Sequence, residues 1–340
     1  MEIYHSFTEQ GYKRLPDNDE ISELFKDNIE PVLFLDSCVC INIVKVVDYK
    51  RKATNANIQK VINLKKYISK NNLKVRPMFG LIELSYKNGN YNIQKYWDFC
   101  NRIKFFEEIP LKHFLSFKYD FFKEFYVLQT PELNLESTFK SLEYFFLNTY
   151  CSLLKIRAIS LNGLSKNKAE KNIIEFFNWM SHELGIILGI EYKLAMNIFG
   201  GSTEYRKMIW LDGDQKLLKK KLIGTSWDIF HTRLCTNNFE FAKILGNKNI
   251  EGYFITNDKL LFNLHAHYSL SGVIEKSENF GTMKVFNTDF NIPHFNDDFI
   301  EKQNKKMIEE MTERFNKPSK NNVELTKRLI KYLEEINNVA

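Results

Sequence analysis

The segment from Pro31 to Lys45, PVLFLDSCVCINIVK, constrains the fold more than any other part of the chain. Its apolar run from Val32 to Leu35 is short and ends at a polar residue, which is typical of a buried strand. Ser37 is suited to cap a helix that begins directly after the strand. The segment therefore predicts a strand followed by a helix. Asp36 would then lie at the carboxyl end of the strand, where the ligands of open α/β sheets bind.

The amino-acid composition is that of a globular protein. Hydrophobic residues make up 44% of the chain and charged residues 26%, so the chain can bury a core. The 29 Phe and 16 Tyr residues argue against broad disorder. The net charge of +6 is compatible with a polyanionic partner without requiring one. The five cysteines are odd in number and show no metal-type spacing, which favours reduced thiols. The N-terminus has no apolar signal core, and no stretch reaches the ~20 apolar residues of a membrane span. We therefore expect a cytoplasmic protein that does not contact a membrane.

The pattern of apolar residues predicts an α/β domain that is interrupted by helices. In the middle of the chain the strand signal almost disappears, and Phe139, Leu142 and Phe146 recur every three or four positions, as one helix face should. The predicted segments are an N-terminal arm, the first part of the α/β domain, a large helical insertion, the second part of the domain and a helical C-terminal extension, at residues 1–30, 31–109, 110–221, 222–294 and 295–340.

Four carboxylates stand in apolar sequence, where a charge is costly unless it is paired or binds a cation: Asp36, Glu83, Asp228 and Asp258. Asp36 and Asp258 each follow a predicted strand. Glu83 interrupts the apolar run FGLIEL, and Asp228 begins a predicted helix after a Gly-Thr-Ser break. Four acids at one sheet edge would repel one another unless a divalent ion such as Mg²⁺ or Mn²⁺ neutralised them. The set therefore indicates metal-assisted attack of water on a phosphodiester.

Each acid also has a structural explanation. Asp36 and Asp258 are suited to cap the helices that follow them. Asp228 in a first helical turn would interact favourably with the helix dipole, and Glu83 could pair with a lysine. For any single residue the structural explanation is favoured, and it is the combination of four acids that indicates a site.

The order and surroundings of the four acids resemble those of the PIN-domain nucleases. The matching motifs are LFLDSC around Asp36, PMFGLIEL around Glu83, WDIFHTRL around Asp228 and FITNDKLL around Asp258. The resemblance covers about residues 31–105 and 222–290, on both sides of the helical insertion. It implies a three-layer α/β/α fold with a central parallel sheet, and a nuclease that depends on Mg²⁺ or Mn²⁺ and most often acts on RNA.

On the basis of this resemblance, the four acids are the catalytic, metal-binding residues. The hydrogen-bonding groups that it implies beside them are Ser37, Thr256 and Asn257. The chain departs from compact members of the family in the long segment between the second and third acids. Asp212 and Asp214 therefore compete with Asp228 as the third acid, although their Asp-Gly sequence is also strong turn chemistry.

Two basic clusters fit a nucleic-acid partner. The residues that we predict to contact the nucleic-acid backbone are Lys45, Lys50, Arg51, Lys52, Lys216, Lys219, Lys220 and Lys221. Contacts of this kind give binding that depends on salt and not on sequence. A solvated face explains each cluster, taken alone, at least as well.

The function that we expect from the sequence is endonucleolytic cleavage, with RNA favoured over DNA. A role as a toxin or defence effector follows from the family resemblance alone. Because a toxic ribonuclease needs restraint, we expect the insertion or the last helices to contact an inhibitor protein or a second copy of the chain. Two alternatives stay open: a catalytically inactive PIN-like scaffold that binds RNA or protein, and a metal-dependent phosphatase.

Overall fold

The computed structural model describes residues 4–8, 14–48, 53–87, 90–124, 135–235, 249–265, 268–275, 282–288, 292–315 and 321–339. The chain divides into two compact units. The first unit consists of Met1–Ser137 and His231–Ala266, and the second consists of Thr138–Phe230 and His267–Ala340. None of the helices in the described ranges is both long and apolar enough to cross a membrane.

The first unit contains a four-stranded sheet. Its strands are β1 (His5–Phe7), β2 (Glu30–Leu35), β3 (Lys74–Arg76) and β6 (Ile250–Thr256), and their order is β1-β6-β2-β3. Two strands of two residues each, β4 (Tyr86–Lys87) and β5 (Asn90–Tyr91), pair with each other and are not part of this sheet. The expected α/β class is confirmed.

The sheet is mixed, because only its inner strands are parallel. β2 pairs in parallel with both β3 and β6, whereas β1 pairs antiparallel to β6, with His5 opposite Thr256. The sequence predicted only an N-terminal arm for residues 1–30. Three residues of this arm instead form an edge strand, because the outer edge of β6 offers them hydrogen-bonding partners.

Eight helices of the first unit lie within the described residues. They are α1 (Asn18–Lys26), α2 (Ser37–Val47), α3 (Asn55–Asn71), α4 (Met78–Ser85), α5 (Ile93–Glu108), α6 (Leu111–Ser116), α7 (Phe121–Glu124) and α12 (Lys259–His265). Their starts follow from local capping: Thr54, for example, caps α3 through the backbone N–H of Asn57. The N-cap of α2 is Asp36 and not Ser37, which is the first residue of the helix. Val32 to Leu35 in β2 are at most 2% exposed, as a parallel strand that is covered on both faces should be.

The second unit is mainly helical. Its α-helices are α8 (Leu135–Leu161), α9 (Lys166–Trp179), α10 (Gly189–Phe199), α11 (Leu218–Cys235), α13 (Asp297–Phe315) and α14 (Val323–Ile336). A short π-helix lies at Met180–Leu184, and short 3₁₀-helices lie at Glu204–Ile209 and Gln215–Leu217. α8 begins three residues before the boundary of the unit, and α11 continues past the boundary at Phe230 into the first unit. β7 (Tyr268–Glu275) and β8 (Thr282–Thr288) form a separate antiparallel hairpin.

The predicted helix break at Gly224 to Ser226 is wrong. α11 runs through these residues without interruption, because the burial of Leu222 and Trp227 outweighs the cost of about 1 kcal/mol for a single helical glycine. The buried Ser226 hydroxyl is satisfied within the helix by donating to the carbonyl of Leu222. Asp228 therefore lies in the middle of a helix and not in its first turn. Its predicted interaction with a helix N-terminus is excluded.

The last helix is built into the core of the second unit. Ile330 and Leu333 of α14 are buried. Before the helix begins, the Asn321 amide donates to the carbonyl of Leu184 at 2.6 Å. After it ends, the Asn337 amide donates to the carbonyl of Leu154 at 3.0 Å. α14 is thus anchored at both ends.

Candidate metal centre

Three hydrogen bonds hold the carboxylate of Asp36 in place at the candidate site. It follows β2, is only 2% exposed, and its Oδ1 accepts a hydrogen bond of 2.6 Å from the backbone N–H of Ser37. Its Oδ2 accepts one from the Thr256 hydroxyl at 2.6 Å and one from the Cys38 thiol at 3.0 Å. Because Thr256 is the last residue of β6, these bonds tie the ends of two neighbouring parallel strands to one carboxylate.

Gly80 allows α4 to pack directly against the backbone at Asp36. A Cβ atom on Gly80 would lie 2.7 Å from the carbonyl oxygen of Leu35 and 2.8 Å from the backbone nitrogen of Ser37. Such separations are too short for a real Cβ atom, so only glycine fits here. Glu83 lies three residues further along α4 and hence on the same helix face. The close packing at Gly80 therefore brings Glu83 towards Asp36.

His231 of α11 completes a group of three metal-binding residue types in the first unit. One ligand atom from each of Asp36, Glu83 and His231 lies within 4.8 Å of the others. The Nδ1 atom of His231 lies 3.6 Å from Oε2 of Glu83. The histidine ring is fully buried and lies beside Phe79, with 6.2 Å between the ring centroids.

Sequence reasoning missed His231, although a signal was present. The histidine follows Asp228 by three residues in WDIFHTRL, which is one turn of a helix and a spacing that places two ligands on one face. Since the sequence already predicts a helix that begins at Asp228, the same spacing was available without the structure.

Burial, and to a lesser extent nearby negative charge, raise the pKa values of both acids. Burial raises the pKa of Asp36, against the effect of its hydrogen bonds with Cys38 and Thr256. Burial, and then the charge of Asp36, raise the pKa of Glu83 to about 8, whereas a hydrogen bond with Ser37 lowers it. The fully ionised pair is therefore costly unless a cation is present.

Burial also keeps the imidazole of His231 neutral, because it lowers the pKa of this residue to about 3. A neutral imidazole has a lone pair on one ring nitrogen, as a metal ligand requires. Oε2 of Glu83 is buried and makes no hydrogen bond with any described residue. Both features suit coordination of a cation better than an ion pair between the two side chains.

Asp258 lies at the rim of this group. It is exposed, and its charge contributes to the raised pKa of Asp36. Its Oδ1 accepts from the backbone N–H groups of Leu260 and Leu261, at 2.7 and 3.0 Å, so Asp258 also caps α12 as the structural explanation expected. The backbone N–H of Asp258 donates to the Thr256 hydroxyl at 2.9 Å, which connects the rim to Asp36.

The three candidates for the third acid lie in the part of the chain assigned to the second unit. Asp228 is partly buried in α11, one turn before His231. Asp212 and Asp214 are exposed in a turn, and Asp214 accepts a hydrogen bond from the backbone N–H of Lys216. Asp212 and Asp214 thus lie in a turn, as the structural explanation of their Asp-Gly sequence expected.

Lys60 of α3 carries positive charge to the rim. Its Nζ donates to the side-chain oxygen of Asn257 at 2.8 Å and lies 5.9 Å from the centroid of the Tyr4 ring. Asn257 stands between Thr256 and Asp258, and its backbone N–H donates to the Cys38 sulfur. Sequence reasoning did not single out Lys60, because no local pattern relates it to a strand almost two hundred residues later.

The structure describes five of the eight basic residues that were predicted to contact the nucleic-acid backbone. Lys45 lies about 12 Å along α2 from Ser37, since each helical residue adds about 1.5 Å. In the second unit, Lys219 lies 3.5 Å from Glu334, and Lys221 lies over the ring of Trp210 at 4.8 Å. Lys216 and Lys220 are exposed there. Lys50, Arg51 and Lys52 lie outside the described residues.

Comparison with known proteins identifies no relative of this chain. No protein-family model, no curated protein and no solved structure matches the chain.

Proposed function

We propose that this chain is a divalent-metal-dependent nuclease that hydrolyses phosphodiester bonds, with RNA as its expected substrate and a PIN-like arrangement of its α/β domain. The observation that carries the proposal is the convergence of Asp36, Glu83 and His231 within 4.8 Å of one another. This group lies where the parallel strands β2 and β6 end, and ligands of open α/β sheets bind at the carboxyl ends of such strands. The family resemblance of the acidic motifs supports the same reaction.

The residues of the group fit a divalent cation. Asp36 and Glu83 would supply carboxylate oxygens, and His231 a ring nitrogen, which together form a donor set for a first-row divalent metal. The pKa values of both acids are raised first by burial and then by neighbouring negative charge, and a bound cation would stabilise the ionised form of both. When bound, such a cation supplies the positive charge that acidifies water and stabilises the phosphate oxygens during hydrolysis.

The surrounding residues would hold substrate and acids in place. The three hydrogen bonds to Asp36, from Ser37, Cys38 and Thr256, fix its carboxylate before any ligand arrives, and such preorganisation is a main source of catalytic power. Lys60 would attract a substrate phosphate to the rim. Asp258 is exposed beside it, where a carboxylate could accept a proton from water.

A cleavage assay tests the proposal. Labelled single-stranded RNA and DNA are incubated with Mn²⁺, Mg²⁺ or EDTA and with wild type, Asp36→Asn or Asp258→Asn. The matched control is Glu108→Gln, which removes an exposed carboxylate from the end of α5. We expect metal-dependent cleavage that falls by at least about a hundredfold in Asp36→Asn and stays unchanged in the control, in line with the loss of a metal ligand.

The remaining outcomes separate the alternatives. Binding of oligonucleotides without cleavage in any metal would replace the nuclease by an inactive scaffold. Hydrolysis of a small phosphomonoester without cleavage of RNA or DNA would indicate a phosphatase. Cleavage that is unaffected by Asp36→Asn would place the active site elsewhere.

A further inference from the structure

We infer that His231 is a metal ligand and that it makes the centre selective for Mn²⁺ over Mg²⁺. The inference rests on the proposed function for its biological meaning, but it concerns metal binding and can be tested without a nucleic acid. It concerns an imidazole buried against two carboxylates, which the acidic motifs of the sequence did not predict.

The distances between the side chains fit shared ligands of one ion better than a direct ion pair. A charge-assisted hydrogen bond from a histidine to a carboxylate spans about 2.7–2.9 Å, but Nδ1 of His231 lies 3.6 Å from Oε2 of Glu83. Two ligands that each lie about 2.1 Å from one cation are separated by about 3.0 Å when adjacent and about 4.2 Å when opposite. The observed 3.6 Å falls inside this interval. No two ligand atoms of the group are more than 4.8 Å apart, so the three side chains need to move only slightly to coordinate one ion.

Burial keeps the imidazole in place. His231 is 0% exposed, so its ring cannot move out to solvent when a cation enters. The preceding residues Ile229 and Phe230 are likewise buried, which limits rotation of this stretch of α11. A metal ligand that is held by packing on a helix keeps its geometry better than one on a loop.

The nitrogen of His231 determines which ion is preferred. Mg²⁺ takes oxygen ligands and loses its water reluctantly, so an all-carboxylate site does not discriminate strongly against it. An imidazole nitrogen is a poor ligand for Mg²⁺ but a good one for transition-metal ions, whose affinity for nitrogen sites rises from Mn²⁺ onwards. Two carboxylates and one imidazole therefore favour Mn²⁺ when both ions compete.

The first test is metal binding to the metal-free full-length chain, measured by titration calorimetry with MnCl₂ and with MgCl₂. We expect wild type to bind Mn²⁺ at least tenfold more tightly than Mg²⁺. His231→Asn should lose at least tenfold in affinity for Mn²⁺ and less than threefold for Mg²⁺. The matched control is His113→Asn, since His113 is a half-exposed histidine of the same unit, and it should retain the preference of wild type. Equal affinities of wild type for both ions would overturn the inference.

The second test does not depend on a variant that folds. Electron spin-echo spectroscopy of Mn²⁺ bound to wild type detects a directly coordinated ¹⁴N nucleus. We expect a nitrogen coupling in wild type and in His113→Asn, and none in His231→Asn. A wild-type spectrum without directly bound nitrogen overturns the inference even if Mn²⁺ binds.

These results distinguish the inference from the proposed function. A nitrogen-coordinated Mn²⁺ in a protein that cleaves no nucleic acid supports the inference and contradicts the nuclease. Cleavage of RNA that Mg²⁺ supports as well as Mn²⁺, with no nitrogen coupling, supports the nuclease and overturns the inference.

Discussion

Replacing Glu83 by glutamine should stabilise the metal-free protein at high pH. Glutamine keeps the size of the side chain and removes a carboxylate that is buried beside Asp36. In wild type the pKa of Glu83 is raised to about 8, so between pH 4.5 and pH 8 the native protein holds a proton that the unfolded chain has lost. The free energy of unfolding of wild type must therefore fall as the pH rises through this interval.

The size of the effect follows from the same shift. Each pKa unit corresponds to about 1.4 kcal/mol, so the rise of Glu83 from 4.5 to about 8 corresponds to at most about 5 kcal/mol at pH 9. The side chain is 19% exposed, and solvent screening makes this an upper limit. We expect Glu83→Gln to exceed wild type by about 2–5 kcal/mol at pH 9 and to match it within about 1 kcal/mol at pH 5.

The assay is urea unfolding in EDTA at several values of pH from 5 to 9. The matched control is Glu108→Gln on α5, because Glu108 is exposed and pairs only loosely with Lys104 at 3.8 Å. This control should follow wild type at every pH. In saturating Mn²⁺ the order should reverse, since wild type keeps a ligand that Glu83→Gln has lost. A difference between Glu83→Gln and wild type that does not change from pH 5 to pH 9 in EDTA would refute the reasoning.

Three further variants test how the site is built. Gly80→Ala should cost about 1–3 kcal/mol of the free energy of unfolding, because its Cβ would collide with backbone atoms, and it should weaken Mn²⁺ binding. Unchanged stability and metal affinity would contradict the close packing of α4. Lys60→Gln should lower the salt dependence of RNA binding, reducing the slope of log K against log salt concentration by about 0.7, whereas the exposed Lys70→Gln on the same helix should not. Equal slopes for both would remove Lys60 from the interface. A chain that ends before residue 321 should lose at least about 3 kcal/mol of stability, because Ile330 and Leu333 become unavailable to the core; unchanged thermal unfolding would show that α14 contributes little.

The strand before Asp36 and its helix could be predicted because the determining forces are local. A short apolar run followed by a residue that caps a helix specifies both elements, and the structure places β2 and α2 there. The helix that carries Glu83 shows a local signal of the same kind, because proline favours a helix start and this helix begins at Met78, directly after Pro77. Such signals depend on neighbours in sequence and need no knowledge of tertiary contacts.

The relation between these elements could not be predicted from the sequence. Glu83 approaches Asp36 because Gly80 lets two backbones come together, and nothing in FGLIEL distinguishes this glycine from one that merely weakens a helix. β1 depends on the free edge of β6, which lies far away in the chain. In α11, by contrast, the sequence predicted a feature that is absent. The Gly-Thr-Ser sequence indicated a helix break, but tertiary packing keeps the helix continuous.

The central claim is that Asp36, Glu83 and His231 bind one divalent cation. The most direct measurement is anomalous X-ray diffraction from crystals of the full-length chain grown with Mn²⁺. We predict an anomalous peak within about 2.5 Å of a carboxylate oxygen of Asp36, a carboxylate oxygen of Glu83 and a ring nitrogen of His231. Ordered crystals in Mn²⁺ without a peak among these three side chains, or with one only at exposed carboxylates such as Asp212, would contradict the claim.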